Sequence, residues 1–163
     1  MIVWMMIIFS ASTDSGSSSH TSRLIEPFLR WLYPSISKAA ANRIVTVIRK
    51  GAHVTEYALL ATLIWRAWRR TRPRLPEKIE NKSPPRRSPL STWLTFDQPW
   101  VGGQALAAIV LTGLYAASDE IHQSFVPSRD ARISDVLLDT SGAVLAMLVI
   151  WSISRWWRRW QSP

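Results

Sequence analysis

Cysteine is absent from this 163-residue chain. That excludes a disulfide framework, a thiolate metal centre and a cysteine nucleophile, and it leaves the redox compartment open. Histidine is scarce, with three in the chain, so imidazole chemistry falls to very few positions. No charged residue precedes Asp14. A secretory leader calls for a basic n-region and a cleavage site, and the basic n-region is missing. Acidic residues are the minority: 11 Asp+Glu stand against 20 Lys+Arg, for a net charge of +9. Such an excess suits nucleic acid or anionic lipid. Nine of the 20 basic residues lie in 66–91, which has no aromatic residue after Trp68 on which a base could stack. No nucleic-acid partner is therefore expected.

What the chain does have is long apolar runs, kept apart from the basic residues. Residues 1–9 form the first. It is too short for the ~20 residues that span a bilayer. It reads as the end of a first membrane helix whose beginning lies outside this sequence, the alternative being a short buried or interfacial helix. Residues 10–22, rich in Ser and Thr, read as a loop. Residues 23–31 have the spacing of a short amphipathic helix, provided that Pro27 falls in its first turn. A helix over 42–68 contains a second span between Lys50 and Arg66, whose charged ends can snorkel. Residues 100–123 form a third span, with Gly102, Gly103, Ala105, Ala107, Ala108 and Gly113 as small packing residues. Residues 133–151 form a fourth. Ten tryptophans are many for this length, and most sit at the ends of apolar runs, as in interfacial belts.

These runs predict an all-α fold: one domain over 1–163, an integral membrane helical bundle of about four transmembrane helices, the first truncated at its N-terminus. Between the second and third spans lies a basic, proline-rich loop over 66–98. Its proline density forbids a helix and its apolar content is too low for a core. By the positive-inside rule this loop and the basic C-terminal tail are cytoplasmic. The protein is then a multi-pass component of the inner (cytoplasmic) membrane. Its polar helix ends meet at the outer face.

Three groups of polar residues converge there. Lys50, His53, Glu56 and Tyr57 belong to the second span. Asp119, Glu120, His122, Gln123 and Arg129 stand at and after the end of the third. Asp135 and Asp139 belong to the fourth. Spacings of three and four place Lys50, His53 and Tyr57 on one face, and likewise Asp119 with His122 and Asp135 with Asp139. Ionisable residues at such depth are costly unless they face one another or water. Four readings fit. The set could be a structural ion-pair network, with Arg129 bonded to Asp135 or Lys50 to Glu120. Lys50 and Arg129 could hold an anionic headgroup. Imidazole and carboxylate could bind a divalent metal, although no motif of diagnostic spacing is present. The candidates for acid–base catalysis are His53, Glu56, Asp119, Glu120 and His122.

At these residues the chain resembles the VanZ-like family of small membrane proteins. The resemblance rests on Lys50, His53, Glu56 and Tyr57; on Asp119, Glu120, His122, Gln123, Pro127 and Arg129; and on Asp135 and Gly142. It covers about 48–146, broken by the loop. Ser128, Asp139 and Ala146 depart from the family's usual glycine, asparagine and glycine. The resemblance implies a four-span protein of the cell envelope, and the founding member's link to teicoplanin carries the expectation of glycopeptide resistance. It supplies no reaction. The leading expectation is a pocket at the extracytoplasmic face that binds an envelope lipid or cell-wall component through Lys50, His53, Glu56, Asp119, Glu120, His122, Gln123, Arg129 and Asp135, with membrane lipids as partners. The alternative is a membrane-embedded, metal-dependent enzyme.

Overall fold

The computed structural model describes residues 1–12, 18–71, 100–126 and 132–161. They form five helices and no strand: α1 (Ile2–Ala11), α2 (Ser18–Leu32), α3 (Lys38–Thr71), α4 (Gly102–Ser124) and α5 (Ile133–Gln161). The all-helical expectation is met.

α3 has 34 residues, a rod of about 51 Å. Its first part is docked by α2, where Leu29 is buried against Ala41 and Val45 in a small core of their own. Its second part joins α1, α4 and α5 in the main core, which gathers Ile8, Tyr57, Leu60, Ile64, Trp65 and Met147 with Ala61, Ala105, Ala108, Ala116 and Ala143. The helix expected over 23–31 is longer, so Pro27 lies inside it rather than in its first turn. It removes the bond that its missing N–H would have made. Residues 66–71, the beginning of the loop expected over 66–98, belong to α3. The physical reason is that no proline occurs between Pro34 and Pro73, and the Arg69 guanidinium lies over the Trp65 ring at 4.5 Å. The rest of that loop lies outside the described residues.

Side-chain contacts fix the directions of the helices. Ser12, Tyr57 and Asp119 meet at one end of the bundle, whereas Trp65 packs on Trp100 at the other, with ring centroids 5.7 Å apart. α1 and α4 therefore run toward the polar end, and α3 and α5 run away from it. The closest approach is between α3 and α5. A Cβ built on Gly142 would strike the Val54 carbonyl oxygen and lie 3.1 Å from the Val54 carbonyl carbon. Only glycine lets the backbones approach this closely, and this contact sets Asp135 and Asp139 opposite the polar turns of α3.

The distribution of size across α4 is the reverse of that in a water-soluble helix. Ala105, Ala108, Thr112 and Ala116 face inward, while Leu106, Val110, Leu111, Leu114 and Ile121 face outward. On α5, Ala143 is buried while Leu137, Leu145, Leu148 and Val149 are exposed. By length and composition, one helix among the described residues, Ile133–Trp160, is sufficient to cross a membrane. α1 is apolar but has 10 residues. α3 carries Lys50, Glu56 and Arg66, and the small residues of α4 lower its hydropathy.

Candidate functional site

Asp119 is the centre of the polar end. It sits one turn before the C-terminus of α4 and is 3% exposed. Three donors from three places converge on its Oδ2. The Ser12 hydroxyl, just past the end of α1, donates at 2.6 Å. The Tyr57 hydroxyl, from α3, donates at 3.1 Å. The Gln123 Nε2, one turn along α4, donates at 2.9 Å. The spacing of four brings the amide back over the carboxylate. The other oxygen, Oδ1, is buried and has no hydrogen-bond partner among the described residues. A charged group so far from water is tolerable only when it is well bonded, so this half-satisfied carboxylate is an unusual feature.

His122 follows on the same face. Its ring packs on Phe9 of α1 with centroids 4.2 Å apart. Its Nδ1 is buried and, among the described residues, without a hydrogen-bond partner. α1 is tied to the bundle at two further points: Tyr115 donates to the Met5 carbonyl at 2.6 Å, and the Trp4 Nε1 donates to the Glu56 carbonyl at 3.0 Å.

The remaining polar residues face the α3–α5 contact. Lys50 Nζ bonds to Asp135 Oδ1 at 2.8 Å, with the lysine side chain about half exposed (49%). Asp135 lies in the first turn of α5, where a negative charge complements the helix dipole. His53 Nδ1 lies 3.4 Å from Glu56 Oε2. The Glu120 carboxylate accepts from the backbone N–H of Arg132 and so secures the chain where it enters α5. Asp139 is buried, in the neighbourhood of His53, Asp119, Glu120 and Asp135.

The structure thus divides the expected constellation in two. One part surrounds Asp119, with Tyr57, Gln123 and His122. The other joins Lys50 to Asp135 and His53 to Glu56, with Glu120 and Asp139 alongside. Lys50 pairs with Asp135 and not with Glu120, because α5 enters directly opposite the first polar turn of α3. Arg129 lies outside the described residues. Among the described residues, no three His, Asp or Glu side chains converge as metal ligands. Two participants are missing from the sequence reading. By sequence, Ser12 belongs to a polar loop and Phe9 to an apolar run. The only signal for either was their place where that run ends and serines begin. Tyr57 both packs in the main core and donates to Asp119.

The family model for VanZ/LLP1 matches residues 1–155. The chain belongs to the VanZ/LLP1 family. The VanZ/LLP1 match takes in α1, so Phe9 and Ser12 fall within the family's own length, as do both halves of the polar end. No curated protein and no solved structure matches the chain.

Proposed function

We propose that this VanZ/LLP1 protein is a four-span inner-membrane protein whose polar end forms an extracytoplasmic pocket for a phosphate-bearing envelope lipid or cell-wall intermediate. One observation carries the reading: a buried carboxylate network lies inside a bundle whose α1, α4 and α5 expose many large apolar side chains. In water such a surface would be a liability, whereas in lipid it is the expected one. The four helices alternate in direction, which is what four successive spans require. The basic, proline-rich segment over 72–98 and the basic C-terminus then share the cytoplasmic side.

In this reading Lys50 and Arg129 contact the phosphate. His53, Glu56, Asp119, Glu120, His122, Gln123 and Asp135 shape the remainder of the pocket. The Lys50–Asp135 pair is well exposed, so its net stabilisation is small, about 0–1 kcal/mol, and Lys50 is available to a ligand. Replacing Lys50 with Gln is expected to leave stability within about 1 kcal/mol but to weaken binding of phosphatidylglycerol or a polyprenyl monophosphate by about tenfold. Native mass spectrometry of protein purified in detergent reads both lipids. Unchanged binding would remove the phosphate role from Lys50. An envelope ligand of this class connects the protein to glycopeptide tolerance, so raised expression should increase tolerance to teicoplanin in cells carrying the wild-type chain and not in those carrying Lys50→Gln. Among the described residues, no converging donor set supports the metal-dependent enzyme reading.

A further inference from the structure

α2 and the first part of α3 lie outside the four spans proposed above. Their short connection over 33–37 and the packing of Leu29 on Ala41 and Val45 make them an antiparallel hairpin. Ala41 and Leu59 are about five turns apart on α3, so they point the same way. Leu59 is 45% exposed, on the side of α3 away from the main core. α2 is therefore mounted on the outward side of α3 and does not roof the polar end. The hairpin has two unlike flanks. In an antiparallel pair, residues just before the seam positions of both helices share one flank, and those just after them share the other. Phe28 precedes Leu29 and Ile44 precedes Val45. Trp31, Leu32, Val47 and Ile48 extend that flank, and all six residues are exposed. The Phe28 and Trp31 rings stack with centroids 6.1 Å apart. On the other flank Arg30 follows Leu29 and Asn42 follows Ala41, with Arg23, Lys38 and Arg49 alongside. Arg30 is paired there with Glu26 at 2.8 Å.

We infer that the α2–α3 hairpin is set into the outer leaflet, with its apolar flank against acyl chains and its basic flank holding anionic phospholipid headgroups. This rests on the membrane reading proposed above and extends it to residues that the four spans leave out. Depth supports it. From Lys50 to Arg66 α3 rises about 24 Å, and from Ile44 to Trp65 about 32 Å. The hydrocarbon layer is about 30 Å thick, so the apolar flank supplies the thickness that the Lys50–Arg66 stretch lacks. Trp31 and Tyr33 then stand at the outer headgroup level, as Trp65 and Trp100 stand at the inner one. Charge names the occupant. Residues 18–49 carry five basic residues against one acid. The positive-inside rule disfavours such an excess on the outer side, and anionic headgroups offset it. A second copy of the chain would bring the same excess to the contact and add repulsion.

The test uses the full chain in nanodiscs of phosphatidylcholine and phosphatidylglycerol, with one nitroxide on one introduced cysteine at a time. Its spectrum reports collisions with oxygen, which collects in lipid, and with a nickel chelate, which stays in water. Phe28→Cys and Val47→Cys should favour oxygen as strongly as Leu114→Cys, a reference on the outward side of α4 (63% exposed). Arg23→Cys and Asn42→Cys should favour nickel. Nickel at Phe28→Cys and Val47→Cys, with oxygen at Leu114→Cys, would overturn the inference and leave the spans standing. Nickel at Leu114→Cys would overturn both. Shielding of Phe28→Cys and Val47→Cys from both reagents would mean that protein covers this flank, and would also overturn it. The headgroups are read with spin-labelled lipids. Arg23→Gln combined with Lys38→Gln should lower the preference for phosphatidylglycerol over phosphatidylcholine around the protein, by up to about fivefold per charge removed. An unchanged preference would remove the headgroups from the basic flank.

Discussion

Replacing Asp119 with Ala is expected to destabilise the protein by about 3–5 kcal/mol, the range for removing one partner of a buried charged network. The carboxylate is the shared acceptor for the Ser12 and Tyr57 hydroxyls and the Gln123 amide. Its removal leaves three donors without their acceptor. Ser12 and Tyr57 are fully buried, so water cannot take its place without opening the bundle. Each stranded group costs about 1–3 kcal/mol. The loss should also free α1, because Ser12 is one of the few residues that fasten it. Thermal unfolding in detergent measures the first effect. Protease cleavage between α1 and α2 measures the second and should be faster in Asp119→Ala. Asp119→Asn retains an acceptor for the same donors and should lose much less. Equal losses for Ala and Asn would mean that the charge, not the shared acceptor, holds this end together.

The other large effect concerns backbone geometry. Gly142→Ala should cost about 3 kcal/mol, at the upper end of the usual overpacking penalty. The added methyl meets the Val54 carbonyl group and Cα, the latter at 3.2 Å, and backbone cannot swing aside as a side chain can. α3 and α5 must separate, and Asp135 moves away from Lys50 with them. Two other glycines calibrate the measurement. At Gly113 the neighbour is the Thr140 side chain, with Oγ1 at 3.3 Å, which can turn aside, so Gly113→Ala should be mild. At Gly51 the space is open, so alanine there should be neutral or stabilising by up to about 1 kcal/mol through helix propensity. Thermal unfolding of the three variants should rank them in that order. A Gly142→Ala protein as stable as Gly51→Ala would contradict the close crossing.

Much of this arrangement is legible in the residues. The spacing of Lys50, His53 and Tyr57 places them on one side of α3, and the sides of α4 and α5 that carry Asp119 and Asp135 meet them. Ala105 and Ala108 recur at a helical interval and mark the packed face of α4, whereas Gly102 and Gly103, expected to pack as well, are exposed with open space where a side chain would stand. Other features depend on contacts far apart in sequence. Ser12 binds Asp119 across 107 positions, and no local pattern announces that a serine after an apolar run turns back into the bundle. The partner of Lys50 was equally hidden. Asp135 and Glu120 are both acids near the same junction, and only the α3–α5 crossing at Gly142 decides between them. Glu120 is instead engaged by the Arg132 backbone, a donor that every residue except proline carries and that sequence pattern therefore cannot single out. The extent of α3 past Arg66 turns on where the first proline falls, a local matter that average composition over 66–98 obscures.

Everything proposed here depends on the polar end of the bundle and the basic loop lying on opposite sides of one membrane. The chain has no cysteine, so a single introduced cysteine is a clean reporter. Ser118 is exposed beside Asp119, and Ser83 belongs to the basic, proline-rich stretch of the sequence. In intact cells a membrane-impermeant maleimide should label Ser118→Cys and spare Ser83→Cys, which should react only after permeabilisation. Labelling of both positions in intact cells, or of Ser83→Cys alone, would contradict the account and remove the extracytoplasmic pocket.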